Sequence, residues 1–170
     1  MSLICLEGLA KLRGWEEWRV VRLPRSVHKI RLLFVEDDLD DVELAQAALA
    51  ESFSGAQLRV AHGEAEAIRL LGQKDYLPDL VLLDLSLPES GALKVLEWIK
   101  SQDRVKIVPV IVLSATVSKV DIASVYGRHA NCLVTKPVNC VGFSDLLAKL
   151  FRFWFGVVRL PTRTSGSRYN

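Results

Sequence analysis

The fold is decided by the sequence IRLLFVEDD, residues 30–38. A mostly apolar run from Ile30 to Val35 leads directly into three acids, Glu36, Asp37 and Asp38. The run does not alternate apolar and polar residues, which is typical of a strand covered on both faces. Four further short runs of this kind follow along the chain: Leu58 to Ala61, Leu80 to Leu83, Val108 to Leu113 and Cys132 to Val134.

Apolar residues at helical spacing follow each of the five runs. The series are Val42, Ala45, Leu49 and Phe53; Ala65, Ile68 and Leu71; Leu93, Leu96 and Ile99; a weaker one from Val120 to Tyr126; and Phe143, Leu146, Leu147, Leu150 and Trp154. Five β-α units in succession predict an α/β fold, in which a parallel sheet is sandwiched between helices. We also expect Asp40 to cap the first helix.

The composition is that of one globular domain. The chain has 170 residues, of which 50% are hydrophobic and 25% charged, so it can bury a core and is not intrinsically disordered. No apolar run approaches the roughly 20 residues that span a bilayer, and no secretory signal is visible, so we expect no membrane partner. Three cysteines, Cys5, Cys132 and Cys140, lack CxxC spacing, which favours a reducing cytoplasm.

The charge divides the chain into three parts. Residues 29–150 hold 13 Lys and Arg against 17 Asp and Glu, whereas residues 151–170 hold four Arg and no acid. We predict an N-terminal extension over residues 1–28, a domain over residues 29–150 and a C-terminal arm and tail over residues 151–170. The basic ends are too sparse in Lys and Arg to indicate a nucleic-acid partner.

Charged and hydroxyl side chains stand where the predicted strands end. In a doubly wound sheet this edge carries the chemistry. If the first and third strands are neighbours, Glu36, Asp37 and Asp84 converge, and an oxygen-only site of this kind suits Mg²⁺. Ser114 and Lys136, which follow the fourth and fifth runs, supply a hydrogen-bond donor and a cation. Together they predict a pocket for a phosphoryl group, with Asp84 as a nucleophile that can become an acyl phosphate.

These strand ends resemble the receiver domain of two-component response regulators. The matching motifs are Val35-Glu36-Asp37-Asp38, Leu83-Asp84-Leu85-Ser86-Leu87-Pro88, Leu113-Ser114-Ala115 and Thr135-Lys136-Pro137. The resemblance implies the flavodoxin-like (βα)5 fold, doubly wound with strand order 2-1-3-4-5, and a cis Lys136-Pro137 bond. It also implies a signalling protein rather than an enzyme, with slow self-dephosphorylation.

The resemblance assigns a role to each site residue. Asp84 would accept the phosphoryl group from a histidine kinase. Asp37, Asp84 and the Ser86 backbone carbonyl would ligate Mg²⁺, with Glu36 assisting. Ser114 would bind a phosphoryl oxygen, and Lys136 would pair with the phosphate.

A narrower likeness is to single-domain regulators that partner phytochrome-type histidine kinases. It rests on residues 36–44, on residues 131–138 and on the ending from Phe153 to Pro161. This likeness implies a phytochrome-type kinase as partner and a dimer formed through the last helix and a C-terminal arm. The signal would then pass on through changed self-association or partner binding.

Two features depart from the usual receiver pattern, at Leu133 and at Gly91-Ala92, and two further positions are variable in the family. Leu133 stands where an aromatic residue often reports phosphorylation, so the usual aromatic switch is in doubt. Ser86 and Thr116 occupy the two positions that tune the lifetime of the acyl phosphate. Gly91-Ala92 replaces the usual Asp-Gly pair, which indicates a reshaped turn into the third helix.

The last helix ends in a cluster of aromatic residues, namely Phe151, Phe153, Trp154 and Phe155. A helix end that is apolar on more than one side needs cover from another surface, and we predict that these residues form a homodimer contact. The alternative is that the arm folds back on its own domain.

Three other functions are alternatives to that of a phosphorylated signalling protein. A haloacid-dehalogenase-type hydrolase of aspartyl phosphates would need a second Asp two residues after Asp84, where Ser86 stands. A flavodoxin-like cofactor protein would need a phosphate loop after the first strand, where acids stand instead. A dimeric binding module that acts without phosphorylation is the third alternative.

Overall fold

The structure is a computed structural model that describes residues 30–53 and 55–161. The predicted N-terminal extension over residues 1–28 and the tail beyond residue 161 therefore lie outside the described residues. Within the described part of the chain, no helix is both long enough and apolar enough to cross a membrane.

Five parallel strands form one sheet with the order β2-β1-β3-β4-β5. The strands are β1 (Arg31–Val35), β2 (Gln57–Ala61), β3 (Leu80–Asp84), β4 (Val110–Ser114) and β5 (Cys132–Thr135). The α/β fold and its doubly wound order are confirmed.

Five α-helices cover the sheet: α1 (Leu39–Ser52), α2 (Glu64–Gly72), α3 (Gly91–Ser101), α4 (Lys119–Gly127) and α5 (Cys140–Phe151). A short 3₁₀ segment, Pro88–Ser90, precedes α3, and a π-helical segment, Arg152–Val157, continues α5. The predicted division at residue 150 thus falls inside a continuous helical stretch.

The strands lack polar alternation because both faces of the sheet are buried. In β1, Leu33 and Val35 pack in the core on one side, and Leu32 and Phe34 pack in the core on the other side. Successive side chains of a strand point to opposite faces, so each strand contributes to two separate cores. The polar site residues lie at the carboxyl ends of these parallel strands, and therefore at one edge of the sheet.

Several strand boundaries differ by one or two residues from the sequence prediction, and those of the third and fourth strands bear on the site. The fourth strand begins at Val110 rather than Val108, and Pro109, which has no backbone N–H to donate, stands just before it. At the other end, Asp84 and Ser114 are the last residues of β3 and β4 rather than residues beyond them. The backbones of Asp84 and Ser114 are therefore fixed by the sheet, which sets the positions of both side chains.

The first helix is capped by Asp38, not by Asp40 as the sequence predicted. The Asp38 carboxylate accepts hydrogen bonds from the backbone N–H groups of Asp40 and Asp41, at 2.8 and 3.4 Å. Asp38 has extended backbone angles, φ −81° and ψ 118°, which is the geometry of an N-cap. The helix therefore starts earlier, and Asp40 and Asp41 lie in its first turn.

The C-terminal aromatics divide into two pairs. Phe151 and Phe155 are buried in the core beside α1, where Phe155 also meets the ring of Phe53 edge-on at 5.5 Å. Phe153 is 51% exposed, and Trp154 is half-buried. The start of the arm thus folds back on its own domain, which leaves Phe153 and Trp154 as the aromatics available for a dimer contact.

Candidate functional site

The candidate site lies at one edge of the sheet, at the carboxyl ends of four neighbouring strands. Glu36 and Asp37 follow β1, Asp84 ends β3, Ser114 ends β4, and Lys136 follows β5. The parallel register sets Asp84 opposite Leu113. It also sets Ser114 opposite Thr135, so the side chains predicted from separate motifs meet in space.

Glu36, Asp37 and Asp84 form a cluster in which ligand oxygens all lie within 4.8 Å of one another. Glu36 and Asp84 are buried, whereas Asp37 is exposed, so the cluster opens to solvent on one side. One oxygen of Asp84, Oδ1, is buried and accepts no hydrogen bond from the described residues. A buried carboxylate oxygen without a donor, among oxygen ligands only, is suited to a hard divalent cation.

Lys136 counters this charge. Its ammonium Nζ donates to Glu36 Oε2 at 2.7 Å and to Asp41 Oδ2 at 2.8 Å, and it lies 3.3 Å from Asp84 Oδ1. Burial by itself would lower the pKa of Lys136, but its hydrogen bonds to Asp41 and Glu36 and the charge of Asp84 raise that pKa above its ordinary value. Lys136 therefore stays a fixed positive charge.

Glu36 is the most perturbed acid of the site. Burial raises the pKa of Glu36 to about 7, and the negative charge of Asp84 adds to the rise. The hydrogen bond from Lys136 and a weaker one from the backbone N–H of Asp38, at 3.3 Å, act in the opposite direction. One positive charge does not neutralise the buried acids, so the site retains an affinity for a further cation.

The Ser114 hydroxyl is committed to a local hydrogen bond. It donates to the backbone carbonyl of Thr116 at 2.5 Å, and its side chain is buried. The Thr116 side chain is exposed. Ser114 lies at the predicted position, but its hydroxyl has to turn away from Thr116 to reach a phosphoryl oxygen.

The loop after β3 has an unusual backbone. Glu89 and Ser90 both have positive φ, 55° and 58°, although neither is glycine. The turn into α3 is therefore built from two left-handed residues directly before Gly91-Ala92, the pair that replaces the usual Asp-Gly. Ser86 is exposed at the start of this loop, and its carbonyl as a metal ligand stays a prediction.

Leu133 and the conformation of the Lys136-Pro137 bond do not follow the pattern that the resemblance implies. Leu133 is half-buried against the core, and its backbone N–H donates to the hydroxyl of Tyr126 on α4 at 3.3 Å. The implied cis Lys136-Pro137 bond is not found, because the described residues contain no cis peptide bond. An aromatic side chain nevertheless lies over β5, supplied by α4 rather than by position 133.

Asp41 is the site residue that sequence reasoning missed. It lies in the first turn of α1, where acids are common because they favour the positive end of the helix dipole. Its position therefore indicated an ordinary helix start. Only the tertiary packing, in which α1 lies against α5, brings its carboxylate to Lys136.

Comparisons with known proteins agree with this geometry. Residues 32–150 match the response regulator receiver domain. The chain is 32% identical over 135 residues to the response regulator Rcp1 of Synechocystis sp., which covers 76% of this chain and 92% of that protein.

Two solved structures share the fold over nearly the same part of the chain. The phosphorylated cyanobacterial phytochrome response regulator RcpA is 34% identical with a TM-score of 0.76, covering 79% of this chain and 100% of the other. The Mn²⁺-bound form of Rcp1 is 31% identical with a TM-score of 0.73, covering 78% and 99%. Receivers are signalling proteins that histidine kinases phosphorylate, and this chain belongs to the response regulator receiver domain family.

Proposed function

We propose that Asp84 accepts a phosphoryl group from a histidine kinase in a Mg²⁺-dependent reaction. The observation that carries this proposal is the Asp84 carboxylate itself. It is only 3% exposed, one of its oxygens lacks a hydrogen bond among the described residues, and acids and a lysine flank it. A carboxylate without a donor on that oxygen is available as a nucleophile.

In the proposed transfer, an Asp84 oxygen attacks phosphorus, the P–N bond to the kinase histidine breaks, and the histidine leaves with the electron pair. Glu36, Asp37 and Asp84 would hold the metal, which supplies charge neutralisation for the phosphoryl oxygens. Lys136 provides a fixed positive charge on the other side. Ser114 turns from Thr116 to donate to a phosphoryl oxygen, which couples the β4 end to phosphorylation.

The choice of Mg²⁺ follows from the ligands. The cluster offers carboxylate oxygens only and is open to water through Asp37, which suits a small hard cation that keeps part of its hydration shell. The Mn²⁺-bound form of the similar regulator supports a divalent metal at such a site.

Labelling with a small phosphodonor tests the proposal. Incubation with acetyl phosphate and Mg²⁺ should add one phosphoryl group by intact-protein mass spectrometry, and Asp84→Asn should not be labelled. Asp103→Asn is the matched control, because Asp103 is an exposed aspartate paired with Lys106. Absence of labelling in the native protein, with a competent donor shown on a known receiver, would refute the proposal.

Removal of the donor then gives the lifetime of the phosphorylated form. We propose slow self-dephosphorylation, with no enzymatic turnover of an external substrate. Ser86 and Thr116, the two positions that tune this lifetime, are both exposed, so water can reach the acyl phosphate and hydrolyse it without a separate phosphatase. Loss of the label within the mixing time would contradict slow decay.

We further propose that the chain is a cytoplasmic single-domain regulator whose kinase is of the phytochrome type. The similarity to a phytochrome response regulator supports this partner. Phosphotransfer from a purified phytochrome-type kinase should be faster than from an unrelated histidine kinase at equal concentration. Equal rates from the two kinases would contradict this assignment.

We propose, finally, that the C-terminal arm forms a homodimer contact and that phosphorylation changes it. Phe153 and Val157 are both about half exposed on the same helical segment, and Phe153 meets Trp154 edge-on at 5.7 Å. Such a ring pair is a suitable centre for a two-fold contact. Phe153→Glu should lower the solution mass to that of a monomer in sedimentation velocity, whereas Arg152→Glu, at an exposed neighbour outside the ring pair, should not. An unchanged dimer would place the interface elsewhere.

A further inference from the structure

Lys136 has more partners than the phosphoryl reaction requires. Its ammonium has three protons to donate, and two of them already bond to Glu36 and Asp41 at 2.7 and 2.8 Å. Its 3.3 Å approach to Asp84 is an ion pair without hydrogen-bond geometry. The ammonium is therefore bonded to the α1 side of the site, away from the phosphoacceptor.

Asp41 differs from the other acids of the site. It belongs to α1 and is not one of the three acids within metal-binding distance of one another. Its side chain is 25% exposed, whereas that of Glu36 is 1% exposed. A partly solvated carboxylate can give up its lysine and find water instead, whereas a buried one cannot do so at low cost.

The geometry points to Asp41 as a positioning residue for Lys136, which holds the ammonium on α1 until a phosphoryl group on Asp84 competes for it. This inference rests on the proposed function. The phosphoryl oxygens add negative charge beside Lys136, and the ammonium then exchanges Asp41 for phosphate. The start of α1 thereby loses its link to the residue after β5 when Asp84 is phosphorylated.

Asp41→Asn should change the affinities for a cation and for an anion in opposite directions. A freed Lys136 opposes the metal, so Mg²⁺ affinity should fall by about three- to tenfold. The phosphoryl mimic beryllofluoride, at saturating Mg²⁺, should bind more tightly by a similar factor because it no longer competes with Asp41. Damage to the fold would weaken both ligands.

Asp40→Asn is the matched control. Asp40 is the preceding residue on the same helix turn, is exposed, and makes no ion pair among the described residues. Asp40→Asn therefore measures how the loss of one nearby negative charge changes the two ligand affinities when the residue does not contact Lys136. The effects of Asp41→Asn should exceed those of Asp40→Asn for both ligands, and Asp41→Glu, which keeps the charge, should restore part of the native behaviour.

A double-mutant cycle supplies a readout that needs no ligand. In buffer with EDTA, Asp41→Asn should destabilise the native protein more than it destabilises a Lys136→Met background, in which there is no ammonium to hold. Equal destabilisation in the two backgrounds would overturn the inference, and so would equal ligand effects of Asp41→Asn and Asp40→Asn. Failure of Asp84 labelling would instead overturn the proposed function and leave this coupling measurable.

Discussion

Glu36→Gln should change the pH dependence of folding stability in the metal-free protein. The pKa of Glu36 is raised from an ordinary 4.5 to about 7 in the folded state. Between these values the folded protein binds a proton that the unfolded chain has released, so the native protein loses stability as pH rises. The amide that replaces the carboxyl group cannot ionise, and it keeps an oxygen that can accept from Lys136.

The size of the effect follows from the two pKa values. Between pH 5 and pH 8, ionisation of Glu36 should cost the folded state about 2–3 kcal/mol, because each pKa unit corresponds to about 1.4 kcal/mol. Glu36 is 1% exposed, so solvent screening reduces this cost little. The free energy of unfolding of Glu36→Gln, relative to the native protein, should therefore rise by about 2–3 kcal/mol over this range.

Urea unfolding in EDTA, followed by tryptophan fluorescence at pH 5 and pH 8, measures the difference. The native protein and Glu36→Gln differ at one residue, so their difference isolates the contribution of Glu36. Glu43→Gln is the matched control, because Glu43 is an exposed glutamate on α1 outside the cluster, and its effect should be equal at both pH values. Added Mg²⁺ should restore most of the lost stability of the native protein at pH 8. A difference between Glu36→Gln and the native protein that does not vary with pH would refute this reasoning.

The remaining predictions concern packing and backbone strain. Phe151→Ala should lower the free energy of unfolding by about 3–5 kcal/mol in urea denaturation, because Phe151 is fully buried. Phe153 is about half exposed, so Phe153→Ala should lower the free energy of unfolding of the isolated protomer by well under about 1 kcal/mol. Similar losses for the two variants would contradict the described packing of the arm. Ser90→Gly should stabilise the protein by about 0.5–1 kcal/mol, because it removes a Cβ from a residue at φ 58° that makes no side-chain cap. Ser90→Ala, which keeps the Cβ, should give no such gain in the same assay.

The fold could be predicted largely from local pattern. Runs such as Ile30 to Val35 lack alternation because both faces of the sheet are covered, and this signal is carried by neighbouring residues alone. The predicted start of the fourth strand is less exact because Pro109 has no backbone N–H to donate to the neighbouring strand, so β4 begins only at Val110. The cap prediction at Asp40 is wrong because Asp38, Asp40 and Asp41 stand close together at the start of α1, and only the backbone geometry selects Asp38.

The dimer contact shows a different limit. Phe151, Phe153, Trp154 and Phe155 look alike in sequence, yet Phe151 and Phe155 are buried in the core, Trp154 is half-buried and Phe153 is about half exposed. Burial depends on where α5 lies against the domain. Sequence therefore predicted that these aromatics need cover, and the tertiary structure decided which of them receive it from their own chain.

The sequence by itself determined the strand ends, and with them Glu36, Asp37, Asp84, Ser114 and Lys136, because parallel strands bring their carboxyl ends to one edge whatever the details of packing. Tertiary structure alone decided how these groups share their bonds. It placed Lys136 between Glu36 and Asp41, turned Ser114 to Thr116 and left an Asp84 oxygen without a donor among the described residues. These choices depend on the exact positions of side chains in the folded protein. Lys136 and its partners come from elements far apart in the chain, so no local pattern records which bonds form.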